Sequence, residues 1–317
     1  MKQTLLALLL LASALMADAQ TPVVPNATPE AKALLHFLYE VKGRFVLAGQ
    51  HGISETEYIH ELTGSYPAIK GHDLIHEQRN EREILSAIDW WQRGGIPTVM
   101  WHWGAPGKGP GYENSKKQID IDRCFEEGTV EHQAMWDDLK RIADWLTRLR
   151  DAHVPVLWRP MHECDGNWFW YGKGSGEQFC RVWRTMFDYF SKERGLNNLI
   201  WVLCHCGEPK ADFDPGREYY DLAGADSYNT ERTRREMYES VKAIHGDDMP
   251  IPYHECGTIP DPDQCHAVGA DWSWWMLWSG EHCKKHDPAM IKEVYANPRV
   301  ITLDRLPRIY SPSANQE

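Results

Sequence analysis

The chain has 317 residues and a net charge of −12, with 42% hydrophobic residues. That length holds one large core or two small ones. The acidic balance excludes a phosphate backbone as the natural partner, since nucleic acid selects basic patches, and suits a neutral ligand.

The N-terminus reads as a secretory signal over 1–19. Lys2 starts it, residues 5–11 form an apolar run, and Ala17-Asp18-Ala19 offers small residues at the cleavage positions. The run is too short to span a bilayer. Export to the exterior or the periplasm is expected, with 20–317 as one catalytic domain. Residues 21–29 are a Pro-rich lead-in. Short apolar runs then alternate with amphipathic ones. Strands are predicted over 45–49, 67–71 and 96–102, and helices over 56–63 and 80–93, the second with apolar residues at 84, 85, 88 and 91. Residues 104–128 form a loop-like insert. A helix follows over 130–150, a strand over 154–158, a helix over 177–192, and strands over 199–203 and 222–226. A helix over 232–245, strands over 251–254 and 274–278, and a helix over 288–295 complete the pattern. Eight strands interleaved with helices, with no linker and no glycine-rich phosphate loop after the first, predict a single-domain (β/α)8 TIM barrel.

In such a barrel the C-terminal ends of the strands carry the chemistry. These ends offer Gln50 and His51, His72 and Asp73, His102 and Trp103, His162 and Glu163, His205, Asp226 and Tyr228, His254 and Glu255, and Trp278. Two carboxyl groups facing each other across a mouth suit glycosidic bond hydrolysis, where one protonates the leaving oxygen and the other attacks the anomeric carbon. Glu163 and Glu255 end strands four and seven. Fifteen tryptophans point the same way, because indoles stack on sugar faces, although a Trp-rich core explains part of the number. The eight cysteines allow many pairings and fix none. No C-x2-C pair suggests zinc.

The segment Trp158-Arg-Pro-Met-His-Glu163, followed by Gly166-Asn-Trp-Phe-Trp-Tyr-Gly172, resembles the acid/base motif of glycoside hydrolase family 26. Pro252-Tyr-His-Glu-Cys-Gly257 resembles that family's nucleophile segment. Gly49-Gln-His51, Gly94-Gly-Ile with Trp101-His-Trp103, and Val300-Ile-Thr-Leu-Asp-Arg-Leu-Pro307 resemble further landmarks. The resemblance implies Glu163 as general acid/base and Glu255 as nucleophile. It implies His102, His162, Trp168, Tyr228 and Trp278 as substrate-binding residues, with Tyr228 bonded to the nucleophile. Arg159 is a supporting residue behind them. It implies a retaining endo-β-1,4-mannanase acting on a polysaccharide or oligosaccharide, without metal or other cofactor, as a monomer. Open alternatives are a β-1,3-xylanase or mixed-linkage β-glucanase, an exo-acting mannobiohydrolase if the insert walls off the cleft, and a non-catalytic carbohydrate-binding barrel. Cys164 and Cys256, directly after the two glutamates, have no counterpart role; a local disulfide or simple packing is expected of them.

Overall fold

The computed structural model describes residues 21–311, so the expected signal segment lies outside the described residues. Eight parallel strands close into a barrel in sequence order. They are β1 (Gly49–His51), β2 (Ile69–Asp73), β3 (Ile96–Trp101), β4 (Val156–Pro160), β5 (Leu199–Cys206), β6 (Leu222–Ser227), β7 (Tyr253–Cys256) and β8 (Trp275–Leu277). Nearly every strand residue is buried, because helices cover the outer face and side chains fill the inner one. The expected barrel is present, and strand boundaries move by a few residues.

The main helices are α1 (Pro29–Val41), α2 (Ile53–Thr63), α3 (Glu77–Gln92), α4 (Val130–Asp151), α5 (Gly176–Phe187), α6 (Arg235–His245) and α7 (Pro288–Ala296). Helix α5 starts on a capping box, Ser175 with Gln178, which satisfies two orphan amides at once. The link from β5 to β6 contains only two short 3-10 turns, Ala211–Phe213 and Arg217–Tyr219.

The first predicted strand divides. Val46 and Leu47 leave the barrel and pair in parallel with Val300 and Ile301, forming a two-stranded ladder. Only from Gly49 does the chain join the barrel. Glycine is required there, because a Cβ at residue 49 would lie 2.3 Å from the Trp275 carbonyl oxygen. Helix α1 has no counterpart among the predicted elements. Thr28 caps it, and its apolar face, Leu34, Leu35, Leu38 and Val41, is buried. The lead-in is tied to the N-terminal ends of the strands by Thr28 N–H to Asn197 O (3.0 Å) and Val23 N–H to Asp221 Oδ1 (2.7 Å).

Ten of the tryptophans are fully buried, and Trp168 is the exposed one. The tryptophan surplus therefore serves mainly the core. All eight cysteines are free and buried, so Cys164 and Cys256 pack without a bridge.

Candidate active site

Strands β4 and β7 deliver the two glutamates from opposite sides of the C-terminal rim. Glu163 follows β4 on a turn with three left-handed non-glycine residues: Met161 (φ 49°), Glu163 itself (φ 52°) and Asn167 (φ 62°). Each such residue costs about 1–2 kcal/mol, and strain of this kind persists only where the surroundings over-determine it. The turn lifts Glu163 into the cleft, where Trp168 Nε1–H donates to its Oε2 at 2.6 Å.

Glu255 lies within β7, where the register against β6 and β8 shifts between Ala225 and Asp226 and between Tyr253 and Cys256. Such irregularities re-aim side chains, and here Asp226 comes directly opposite Glu255. The carboxylate oxygens of Glu163, Asp226 and Glu255 lie within 4.8 Å of one another. Tyr228 O–H donates to Glu255 Oε1. Gly257 permits this, since a Cβ there would meet the Tyr228 ring at 2.6 Å. Arg159, wholly buried, places Nη1 3.8 Å from Glu255 Oε2. It is itself held by Thr98 Oγ1 (3.1 Å) and the His254 ring (3.3 Å).

The electrostatics follow from this crowding. Burial and the neighbouring Glu163 push Glu255 up to about 7, against Arg159, the Tyr228 hydroxyl and His102. Burial, Glu163 and Glu255 hold Asp226 well above the usual carboxylate range. Asp226 has no cation of its own, and its Oδ2 has no donor. Burial between two carboxylates thus favours a proton on Asp226, while Arg159 and Tyr228 favour charge on Glu255.

The other expected residues gather at the same mouth. His102 Nδ1 lies 2.6 Å from Asp73 Oδ2, and its backbone amide donates to Asp73 Oδ1 at 3.2 Å. Burial acts to lower its pKa, but Asp73, Glu255 and Glu163 outweigh that and raise it. His162 crosses His102 edge to face at 4.4 Å. Burial, His102 and Arg159 keep it well below the usual imidazole range, and its Nδ1 has no protein partner. Trp278 stacks on His51 at 4.1 Å, with 17° between the rings. The insert is not formless: it holds a helical turn, Tyr112–Ser115, and a 3-10 turn, Ile121–Phe125. It leans Tyr112 edge-on against His102 at 5.7 Å. The structure thus brings Glu163, Glu255, His102, His162, Trp168, Tyr228, Trp278 and Arg159 together. Asp226 and Tyr112 join them without a prior role. The end of the sixth predicted strand placed Asp226 on the rim, but neither residue type nor spacing reveals a carboxyl pressed against two others.

A closed parallel barrel with two carboxylates facing each other across its C-terminal mouth, ringed by imidazoles and indoles, defines the glycoside-hydrolase class of barrels. The family model of glycosyl hydrolase family 26 matches residues 23–305, and the chain belongs to that family. It is 31% identical over 303 residues to a mannan endo-1,4-beta-mannosidase of Thermothelomyces thermophilus, covering 89% of this chain and 62% of that protein. A mannan endo-1,4-beta-mannosidase of Bacillus subtilis strain 168 is 31% identical over 290 residues, covering 80% of this chain and 79% of that protein. The fungal relatives are longer: the chain spans 54% and 50% of mannan endo-1,4-beta-mannosidases B and A of Piromyces sp.. Among solved structures, the β-mannanase of a symbiotic protist of the termite Reticulitermes speratus, complexed with gluco-manno-oligosaccharide, superposes with a TM-score of 0.82 at 32% identity. That match covers 90% of this chain and 97% of the other. The Podospora anserina GH26-CBM35 β-(1,4)-mannanase superposes with a TM-score of 0.83 at 30% identity, covering 92% and 71%.

Proposed function

We propose that the protein is a retaining endo-β-1,4-mannanase. The observation that carries this reading is the spacing of Glu163 and Glu255, whose carboxylate oxygens come within 4.8 Å. Retaining enzymes hold the two carboxyls about 5–5.5 Å apart, whereas inverting ones leave about 6.5–9.5 Å for a water. Glu255, favoured as an anion by Arg159 and Tyr228, attacks the anomeric carbon. Glu163 donates a proton to the leaving oxygen. Glu163 then takes a proton from the incoming water, and Glu255 departs with overall retention. His102, His162, Trp168 and Trp278 line the sugar path, and the names of the relatives support mannan as the polymer.

Residues 1–19 are proposed as an export signal, on the pattern of Lys2, the apolar run and Ala17-Asp18-Ala19. No helix among the described residues is long and apolar enough to cross a membrane. We assign 20–317 as one catalytic domain acting as a monomer.

Proton NMR of the first product from a mannan oligosaccharide tests the mechanism. The β-anomer is expected before mutarotation, and an α-anomer first would refute retention. Activity on β-mannan and glucomannan, and none on β-1,3-xylan or lichenan, is the expected substrate outcome.

A further inference from the structure

Behind Glu163 lies a buried polar chain that the reaction does not touch. Asp165, two residues on, accepts from four donors: Cys206 N–H (3.0 Å) and Sγ (3.2 Å) on Oδ1, and Lys210 N–H (2.9 Å) and His205 Nδ1 (2.7 Å) on Oδ2. Lys210 Nζ also donates to the Asp165 backbone carbonyl at 2.8 Å. His205 Nε2 meets His245 Nε2 at 2.8 Å, and His245 Nδ1 meets the Tyr220 hydroxyl at 2.9 Å. All four of these residues are buried.

The chemistry of the groups fixes the donor at Asp165. An ionised carboxylate only accepts, so His205 Nδ1 carries a proton. Its Nε2 then shares a single proton with His245. Burial, with His205 and Arg217 nearby, holds His245 down at about 3, so that ring is neutral. The Tyr220 hydroxyl at His245 Nδ1 closes the chain. Cys164, Asp165 and His205 do bring sulfur, oxygen and nitrogen within 4.8 Å. Yet every lone pair of Asp165 facing this cluster is already satisfied, and burial holds the Cys164 thiol well above its usual range.

Besides the bonds to Asp165, the turn carrying Glu163 is held by Cys164 N–H to Cys204 O (3.0 Å), Gly166 N–H to Glu163 O (3.1 Å) and the Tyr171 hydroxyl to His162 O (2.9 Å), while three of its residues sit in the left-handed region. We propose that Asp165, oriented by the buried chain His205–His245–Tyr220, is the positioning residue for Glu163, clamping the strained turn that aims the acid/base carboxyl at the leaving oxygen. The inference rests on the assignment of Glu163 above. It is specific to that glutamate. The nucleophile side hangs instead from the His205 backbone carbonyl, through His254 Nε2 (3.0 Å) and Arg159, and a side-chain replacement at 205 leaves that carbonyl in place.

His205→Ala is expected to lower kcat/KM on mannan oligosaccharides by about 10²-fold, the lower range of what a positioned acid contributes. On an aryl β-mannobioside with a good leaving group, where glycosylation needs no proton, kcat/KM should stay unchanged. His205→Asn, which keeps a donor near the Nδ1 position, should recover most of the loss, and it covers the case in which the alanine variant fails to fold. Equal losses on both substrates, or full activity in His205→Ala, would overturn the proposal. So would a loss in wild type caused by a chelator and reversed by zinc, which would make the cluster a metal site. Should wild type cleave neither substrate, the functional reading fails, and NMR of 15N-histidine-labelled protein still decides this one. A slowly exchanging, low-field His205 Nδ1–H that disappears in Asp165→Ala is expected; its absence in wild type would overturn the clamp.

Discussion

In the proposed mechanism, two residues of one type take opposite duties from their surroundings. Glu255 has a guanidinium and a phenol to stabilise its charge, while the groups bonded or pressed against Glu163 are an indole N–H and a second carboxyl. Glu255→Ala should abolish turnover on every substrate. Glu163→Ala should lose about 10²- to 10⁴-fold on mannan yet recover kcat/KM on an activated aryl glycoside; parallel losses on both substrates would reverse the assignment. The acid limb of the kcat/KM profile should fall near pH 7, where Glu255 takes up its proton. The Tyr228 hydroxyl bond lowers that pKa, so Tyr228→Phe should move the limb to higher pH. Asp226 gives a stability prediction of fixed sign. Its folded pKa lies above the unfolded value, so wild type loses stability as pH rises from the unfolded value through the folded one. Asp226→Asn removes the titrating group. Its unfolding midpoint should exceed that of wild type increasingly at alkaline pH, and a gain confined to acid pH would contradict the assigned environment.

Elements were legible in the sequence where the pattern was strong and local. Helix α4 follows its predicted span nearly residue for residue, because apolar positions 135, 139, 142, 143 and 146 repeat along one face. The rim residues of β4 and β7 were also legible, since a barrel strand's last residues must face the mouth. The division of residues 45–49 was not, because it depends on a partner some 250 positions away, at Val300–Ile301. Nor was α1, whose apolar face makes sense only once the barrel floor exists to receive it. The asymmetry between Glu163 and Glu255 was invisible for the same reason: Asp226 and Arg159 arrive from different strands. Two tests belong at this scale. Gly49→Ala forces a methyl onto the Trp275 carbonyl and should destabilise by about 3 kcal/mol in chemical unfolding; an unchanged midpoint would mean that β1 and β8 can separate at no cost. Tyr112, edge-on to His102 and 48% exposed, is placed to meet a sugar. Tyr112→Ala should raise KM roughly three- to tenfold, in line with an aromatic contact, with kcat unchanged.

Over the whole molecule, the tryptophan and cysteine surpluses have one explanation. Both are spent on the interior, ten indoles and eight thiols being buried. Thiol reagents should therefore react slowly with the native protein and with all eight cysteines after denaturation. The melting temperature should not change with reductant, and a drop on adding it would reveal a bridge between these cysteines.

The ladder of Val46–Leu47 with Val300–Ile301 has a consequence for how the chain reaches this state. Strand β1 closes on β8 through Gln50 and Leu277, and the ladder fastens the seam from outside. Both contacts join residues separated by most of the sequence. Such contacts must repay a large loop-closure entropy before they give stability, which makes them slow to form. A polypeptide emerging from the ribosome therefore carries β1 with one edge unpaired until almost all the rest has been synthesised. Closure of the β1–β8 seam is expected to follow formation of the strands between them.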